Sequence, residues 1–526
     1  MNNINNILSG TSTETEGALQ EFIQNNSEKF EFKELNKENL RSNLWTKLFS
    51  YIQDDASSYM HLNCLTAIRL LSRDKTDLDR LVTENRFQLL LLRANLKTDN
   101  LKKLESEEII IEALKCLCNI IFNYATVATT YLNNDCVAAI INHAKLYDNV
   151  HLKIIDMKIL FLVTALCRDI RSTVRDELQG LTHLIETLDS ILLMKCLQPG
   201  NTNFNTPIDK LSDSDVDLIC EVLKVLFNIT ISVKNYEKEL YNKLISILYN
   251  LLMIHVEVYS KRIELHSHVV NLLTNMPNEC YTLLFTPAEE TLDKSVVYEG
   301  QNMTAVEALV AFLETRFTND STIKNQDLLT PILSVLFKAV NGSRIIRKYL
   351  RLRILPPLRD VHQRPEQGDT LRNNLCRLLT SVTSVKDLVA DLLFILCKEN
   401  VGRMIKYTGY GNAAGLFAQR GLLRGGVPEE GRYSSDSENS DTEEYQKHKH
   451  GINPVIGCYE PPHVSATANM TEEQKEYEAM KLVELMETLT RHGIVQPCTI
   501  GEDGKPKPIE HVLQLQESLT ESNINN

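Results

Sequence analysis

No stretch of this chain reaches about 18 uninterrupted apolar residues, which argues against a membrane-spanning helix. The N-terminus, MNNINNILSGTSTETEG, lacks the basic start and apolar run of a secretory signal. Positive charge is in deficit: 56 Lys and Arg stand against 69 Asp and Glu, a formal net charge of −13. Such a chain repels phosphate backbones, so nucleic acid is not an expected partner. The twelve cysteines are too sparse for a secreted disulfide framework. Most of them, Cys116, Cys118, Cys167, Cys220, Cys376 and Cys397 among them, sit in apolar periodic runs as buried reduced thiols would. No CxxC pair suggests zinc, and no metal is expected. HExxH, GxSxG and GxxxxGK[ST] are all missing, so no catalytic arrangement and no cofactor are expected. These absences together point to the cytosol. Aromatics are scarce too, 6% with the single Trp45, which suits helical repeats that bury Leu, Ile, Val and Ala.

What is present is globular in composition, 43% hydrophobic and 24% charged. Helical periodicity runs from about residue 15 to 400 and strand alternation is rare. The chain also resembles itself. Glu112-Ala-Leu-Lys115-Cys-Leu-Cys-Asn119 aligns with Glu221-Val-Leu-Lys224-Val-Leu-Phe-Asn228 and with His268-Val-Val-Asn271-Leu-Leu-Thr-Asn275. Thr66 to Arg73, Phe161 to Arg168 and Pro331 to Lys338 fit the same frame more loosely. These segments read as equivalent helices of an all-α, armadillo/HEAT-like superhelix, in which each repeat buries its apolar face on its neighbour. Irregular spacing implies loop insertions, such as the turn-rich stretch Gln198 to Pro207. We expect the solenoid over 1–425, an acidic, Ser-rich and disordered linker over 426–469, and a C-terminal helix and tail over 470–526. The helix is marked by a capping box of Thr471 with Gln474. Its apolar stripe is Ala479, Leu482, Val483, Met486 and Leu489, and Gly493 can end it. Behind a long linker, that stripe must cover either the solenoid or a partner. The last thirty residues, with Pro497, Pro506 and Pro508, leave room for one short helix.

Three patterns bear on function. The first is a polar column at one repeat position: Arg73, Asn119, Arg168, Asn228, Asn275 and Lys338. Asn both donates and accepts, and Arg or Lys pairs with carboxylate. Two roles are open, a groove that holds a partner's peptide end, or caps on neighbouring turns inside the stack. The Trp array that nuclear-import adaptors place one turn earlier is replaced by Lys115, Lys224 and Asn271, which argues against import cargo. The second is a basic crowd: Arg344, Arg347, Lys348, Arg351, Arg353, Arg359, Arg364, Arg372 and Arg377. Ser435 and Ser440 each have a Glu three residues on, the pattern of an acidophilic, casein-kinase-2-type kinase. Once phosphorylated they could dock on Arg344, Arg347 and Lys348, the alternative being a solvated basic face. The third is the glycine run Gly409-Tyr-Gly411-Asn-Ala-Ala-Gly415. The helical segment Val389 to Leu396 precedes it where a dinucleotide fold needs a strand, so nucleotide binding is not expected.

Particular runs resemble one family. They are Leu355-Pro-Pro-Leu-Arg-Asp-Val361, Arg364-Pro-Glu366, Leu396-Cys-Lys-Glu399 and, above all, Lys406-Tyr-Thr-Gly-Tyr-Gly-Asn-Ala-Ala-Gly-Leu416. They continue through Ser440-Asp-Thr-Glu-Glu-Tyr445, Ile452-Asn-Pro454, Met470-Thr-Glu-Glu-Gln-Lys475 and Glu478-Ala-Met-Lys-Leu482. The match is colinear over essentially the whole chain, densest from 340 to 490, and resembles synembryn, the exchange factor and folding chaperone of heterotrimeric G-protein α subunits (Gα). The resemblance implies an armadillo/HEAT superhelix that binds GDP-loaded Gα without Gβγ, promotes GDP release and stabilises the nucleotide-free state. The C-terminal helix of Gα would lie in the concave groove, and the segment beyond the acidic linker, with Leu482, Met486 and Leu489, would embrace the GTPase domain. Arg69, Arg73 and Asn119 match groove positions of the family, and Ser435 and Ser440 match its phosphorylated pair, although Asn439 stands where the family tends to be acidic. It also implies a non-catalytic, monomeric, cytoplasmic protein recruited to the plasma membrane or cell cortex. Of the family's two branches, the chain leans to the one serving inhibitory, Gq-type and related α subunits. The rivals are an armadillo adaptor without effect on nucleotide and an enzyme with a hidden site.

Overall fold

The structure is a computed structural model and describes residues 2–37, 39–97, 105–196, 211–289, 293–318, 326–425, 441–461, 467 and 469–509. The turn-rich stretch 198–207 and both serines, Ser435 and Ser440, lie outside the described residues. The chain divides into two compact units, Met1–Met276 and Pro277–Asn526.

The first unit is built on five helices: α1 (His61–Leu71), α2 (Glu107–Asn123), α3 (Val150–Leu166), α4 (Asp213–Thr230) and α5 (Tyr259–Leu273). They pack in chain order, each on the next, and they carry the segments that the internal alignment groups together. Polar side chains cap the starts of α3 and α4. Asn149 accepts hydrogen bonds from the amides of His151 and Leu152 at α3. Ser212 and Asp215 form a reciprocal capping box at α4. Apolar residues three and four apart then drive the stacking. Ile110, Ala113, Leu114, Leu117, Ile120 and Ile121 are buried along α2. On α3, packed between α2 and α4 and under the helix Asn134–Leu146, burial reaches most faces, from Leu152 to Thr164. Trp45 is fully buried in the helix Leu40–Gln53.

The second unit contains α6 (Thr304–Phe317), α7 (Thr330–Gly342), α8 (Arg344–Ile354), α9 (Leu371–Leu379), α10 (Val385–Leu396), α11 (Val401–Thr408) and α12 (Tyr410–Arg420). α7 packs on α8 and α10, and α12 packs on α9 and α10. Pro331 sits in the first turn of α7, where its missing N–H costs nothing.

Residues 441–461 fall inside the expected linker, yet they are folded against this unit. Tyr445 is buried, Lys406 Nζ pairs with Asp441 and lies 4.3 Å from the Tyr445 ring centre, and the Tyr459 amide donates to Val361 O at 2.6 Å. The glycine run is where this strap crosses. Gly409 takes φ +74° between α11 and α12. The amides of Tyr410 and Gly411 donate to Pro454 O at 2.8 Å and Val455 O at 2.9 Å. A Cβ on Gly457 would stand 2.9 Å from Gly409 Cα. The glycines thus serve a backbone crossing between two parts of one chain.

Beyond it, α13 (Glu472–Arg491) starts at the expected capping box of Thr471 with Gln474 and ends before Gly493 at φ +68°. None of its residues is buried. In the described part of the tail, Cys498–Ile500 pairs with Pro506–Pro508 as a small antiparallel hairpin; residues 510–526, the rest of the stretch with room for a short helix, lie outside the described residues. Pro506 and Pro508 lack amide donors and fit an edge strand better than a helix.

Candidate functional site

Asparagines tie the stacked helices of the first unit together. Asn119 Nδ2 on α2 donates to Arg69 O at 3.1 Å and to the Ser72 hydroxyl at 3.2 Å. Asn228 Nδ2 on α4 donates to Phe161 O at 3.2 Å and to the Thr164 hydroxyl at 3.1 Å. Asn275, just past α5, donates to Phe227 O at 2.9 Å and to the Thr230 hydroxyl at 3.0 Å. Each rung has one form: the amide meets a carbonyl and the hydroxyl three residues further on in the preceding helix. The hydroxyls in turn donate to their own helix, as Thr230 does to Leu226 O at 2.7 Å. The donors therefore serve the stack, as caps on neighbouring turns. The Oδ1 acceptors of the three asparagines make no hydrogen bond among the described residues.

The two arginines aligned with these asparagines do not share the rung, which corrects the single column read from the alignment. α1 ends at Leu71 and α3 at Leu166, so Arg73 and Arg168 fall in the turns beyond. Helices of unequal length shift the register: Asn119 meets residues 69 and 72, Asn228 meets 161 and 164. Arg168 is exposed. Arg73 donates to Ser27 O at 2.5 Å and Lys29 O at 3.3 Å and stacks 5.1 Å from the Phe30 ring. Arg69 pairs with Glu112 at 2.7 Å, and Glu112 also holds Lys115 at 2.7 Å. Lys338 is half-buried on α7 of the second unit, and burial lowers its ammonium pKa from the usual value.

A surface patch follows from these contacts that the sequence reading did not single out. Asn123, one turn after Asn119, donates to Ser72 O at 2.8 Å and Arg73 O at 3.4 Å. Phe122, the residue before it on α2, is 72% exposed, and Phe30, on which Arg73 stacks, is 68% exposed. Two bare phenyl rings thus accompany this guanidinium and asparagine pair. Leu166, at the end of α3, is exposed as well. The clue in the sequence is Asn119 and Asn123 at i, i+4 with a phenylalanine between them, a polar end to an otherwise apolar helix.

α13 presents a second apolar surface. Leu482 is 61% exposed and Met486 38%, with Tyr477, Met480, Val483 and Leu485 also bare, while Leu489 is half-buried. An apolar row of this length on a polar helix marks an interaction face.

The basic crowd of the second unit is several things. Arg344, Arg347, Lys348 and Arg351 line a shallow cleft with Ile395, Leu396 and Lys398. Within it Lys348 pairs with Glu299 at 2.8 Å and Arg347 donates to Val340 O at 3.0 Å. Arg353 turns instead to Glu307, and Arg377 donates to Glu366 O at 2.9 Å and Gly368 O at 2.7 Å. Arg372 is half-buried, and desolvation lowers its pKa.

The described cysteines form no disulfide, and most are buried. Burial pushes the Cys64 and Cys376 thiols up to about 12, the protonated and unreactive state. No helix among the described residues is long and apolar enough to cross a membrane.

Comparison with known proteins places these features in a family. Residues 64–505 match the Ric8 family, described as guanine nucleotide exchange factor synembryn. The chain is 38% identical over 562 aligned positions to "Chaperone Ric-8" of Drosophila melanogaster, covering 96% of each. It is 40% identical over 532 positions to "Chaperone Ric-8A" of Xenopus tropicalis, covering 98% of this chain and 97% of that one. Among solved structures, the SYS-1/POP-1 crystal complex is similar with a TM-score of 0.50 at 11% identity, over 77% of this chain and 66% of that one. That likeness bears on the fold alone, the armadillo-type helical repeat.

Proposed function

The chain belongs to the Ric8 family, that of the guanine nucleotide exchange factor synembryn, and on that premise we propose that it is an exchange factor and folding chaperone for heterotrimeric G-protein α subunits. It binds GDP-loaded Gα without Gβγ and holds the nucleotide-free state until GTP enters. The observation that carries this reading is the colinear match across residues 64–505, joined to relatives that are themselves named chaperones over nearly their full length.

No group of this chain needs to react for exchange to occur. GDP is held by loops of Gα that depend on its C-terminal helix packing on its own sheet. A surface that captures the displaced helix favours the open state, and nucleotide affinity falls by the difference in binding energy between the two states. Moving that equilibrium from 1:99 to 99:1 takes about 5.5 kcal/mol. The patch of Phe30, Arg73, Phe122 and Asn123 offers the chemistry for such a helix end: rings for its apolar face, a guanidinium for a carboxylate, and the Oδ1 acceptor of Asn119 for its amides. α13, through Leu482, Met486 and Leu489, closes on the GTPase domain as a second contact. Phosphorylation of Ser435 and Ser440 by an acidophilic kinase would supply two dianions for Arg344, Arg347 and Lys348 to bind. The protein acts as a cytoplasmic monomer recruited to the plasma membrane or cell cortex.

GDP release from purified Gα, with and without this protein, tests the reading. Release is expected to accelerate, to lose the acceleration when the last residues of Gα are removed, and to fall at least tenfold with Phe122→Ala, about the 1.4 kcal/mol expected of an anchor at an interface. Release that the protein does not change overturns it in favour of an inert adaptor, and acceleration that survives trimming of Gα overturns capture of the C-terminal helix.

A further inference from the structure

Two helices of the first unit bring together three metal-ligating side chains. Cys220 on α4 and Glu264 and His268 on α5 hold a thiol sulfur, a carboxylate oxygen and an imidazole nitrogen all within 4.8 Å of one another. Glu264 and His268 are one turn apart on one face of α5, with His268 Nε2 3.9 Å from Glu264 Oε1. Cys220 is buried and its sulfur makes no hydrogen bond among the described residues. We infer that this trio is a zinc site, with Cys220, Glu264 and His268 as protein ligands and water in the fourth position.

The ligand set selects the metal. Thiolate and imidazole suit zinc, whereas magnesium and calcium take oxygen ligands. Tetrahedral zinc places its ligands about 2.0–2.3 Å from the ion, so the three atoms close by roughly an ångström, a movement of side-chain torsions. Charge balances. Zn²⁺ meets one thiolate and one carboxylate, while the neighbouring Lys224 is neutralised by Glu221 at 2.6 Å. Protons balance as well. An ordinary thiol carries its proton at neutral pH, an ordinary imidazole is mostly neutral there, and a thiol must lose its proton to ligate a metal. Binding therefore breaks one S–H bond, forms one S–Zn bond, and releases one proton to the buffer. Cys220 lies two turns, about 12 Å along the helix, before Asn228. The ion would clip α4 to α5 on the same pair of helices that Asn275 ties together through Phe227 O and Thr230.

Cobalt replaces zinc as the visible probe. The metal-stripped full-length chain, titrated with Co²⁺, is expected to give a sulfur-to-cobalt charge-transfer band and tetrahedral d–d bands at one equivalent. Zn²⁺ should bleach them, and excess Mg²⁺ should not. Calorimetry in two buffers of different ionisation enthalpy is expected to report one proton released per zinc. Cys220→Ala and His268→Gln should each weaken cobalt binding by more than about 100-fold, beyond what loss of an outer-shell partner causes, while Cys498→Ser at the exposed cysteine leaves the bands intact. Glu264 is exposed and His268 half-buried, so Glu264→Gln and His268→Gln keep the fold and decide the matter if Cys220→Ala unfolds. Absence of the thiolate band at one equivalent overturns the site, as does a band that survives His268→Gln at full strength. Neither result depends on whether the protein acts on Gα.

Discussion

Asn228 on α4 donates its side-chain N–H to the hydroxyl of Thr164 on α3, 3.1 Å away and 64 residues earlier in the chain. Thr164 is fully buried and Asn228 nearly so. A polar pair in that setting favours one way of stacking two helices, because a slip of register leaves the Asn228 N–H without its acceptors, while Thr164 keeps its bond to Leu160 O. The same rung recurs between Asn275 and Thr230 and between Asn119 and Ser72.

Breaking the Asn228 rung is therefore expected to cost stability. Asn228→Ala leaves the Thr164 hydroxyl and the Phe161 carbonyl without this donor and should lower the unfolding free energy by about 1–3 kcal/mol. Thr164→Val, close in shape, should cost less. A double-mutant cycle in urea is expected to give a coupling energy of about 1 kcal/mol between them. Strict additivity of the two changes would show that the rung is geometrically present but energetically idle.

α13 makes the opposite case, a segment whose substitution should leave stability alone. None of its residues is buried, so Leu482→Asp with Met486→Asp removes no core contact. The melting temperature is expected to stay within about 1 °C, the effect of a surface substitution. Complex formation with nucleotide-free Gα, measured by pull-down or calorimetry, is expected to weaken at least tenfold. Unchanged binding would sink the role given to this helix.

The second unit carries an acid-sensitive link. Tyr349 OH on α8 donates to Glu307 Oε2 on α6 at 2.7 Å, and Arg353 Nε donates to the same carboxylate at 2.9 Å. Burial pushes the Glu307 carboxyl upward, but the Arg353 and Tyr349 hydrogen bonds outweigh it and leave the group below its usual 4.5. A carboxyl with a lower pKa when folded binds fewer protons than when unfolded, so its contribution is complete above about 4.5 and disappears as pH falls through the folded value. Denaturant melts between pH 6 and 3, at about half-unit steps, are expected to show Glu307→Gln less stable than the parent at pH 6. The gap between them should narrow toward pH 3. A constant gap would mean that Glu307 acts through packing rather than charge.

How much of this was written in the order of residues can be judged from single elements. The repeat frame through Glu112, Glu221 and His268 located helices that belong to one stack, because apolar residues at i, i+3 and i+4 must face a neighbour whatever that neighbour is. Thr471, Gln474 and Gly493 marked the ends of α13 correctly, since caps are satisfied within a few residues. The glycine run was recognised as a family signature, but its reason, the crossing of residues 454–457 over Gly409, joins positions about 45 apart.

Local sequence by itself thus determined that the chain is a helical repeat and where α13 starts and stops, which follow from periodicity and capping acting over one or two turns, while the family was legible in the colinear runs from Leu355 to Leu482. Only the tertiary structure decided what each polar side chain does. It turned the asparagine donors into the stack, set Arg73 and Arg168 beyond the helix ends, bared Phe30 and Phe122, and brought Cys220 to Glu264 and His268. Those outcomes depend on helix lengths and stacking register, and a shift of one turn, about 5.4 Å, is invisible to a pattern read along the chain yet longer than any hydrogen bond.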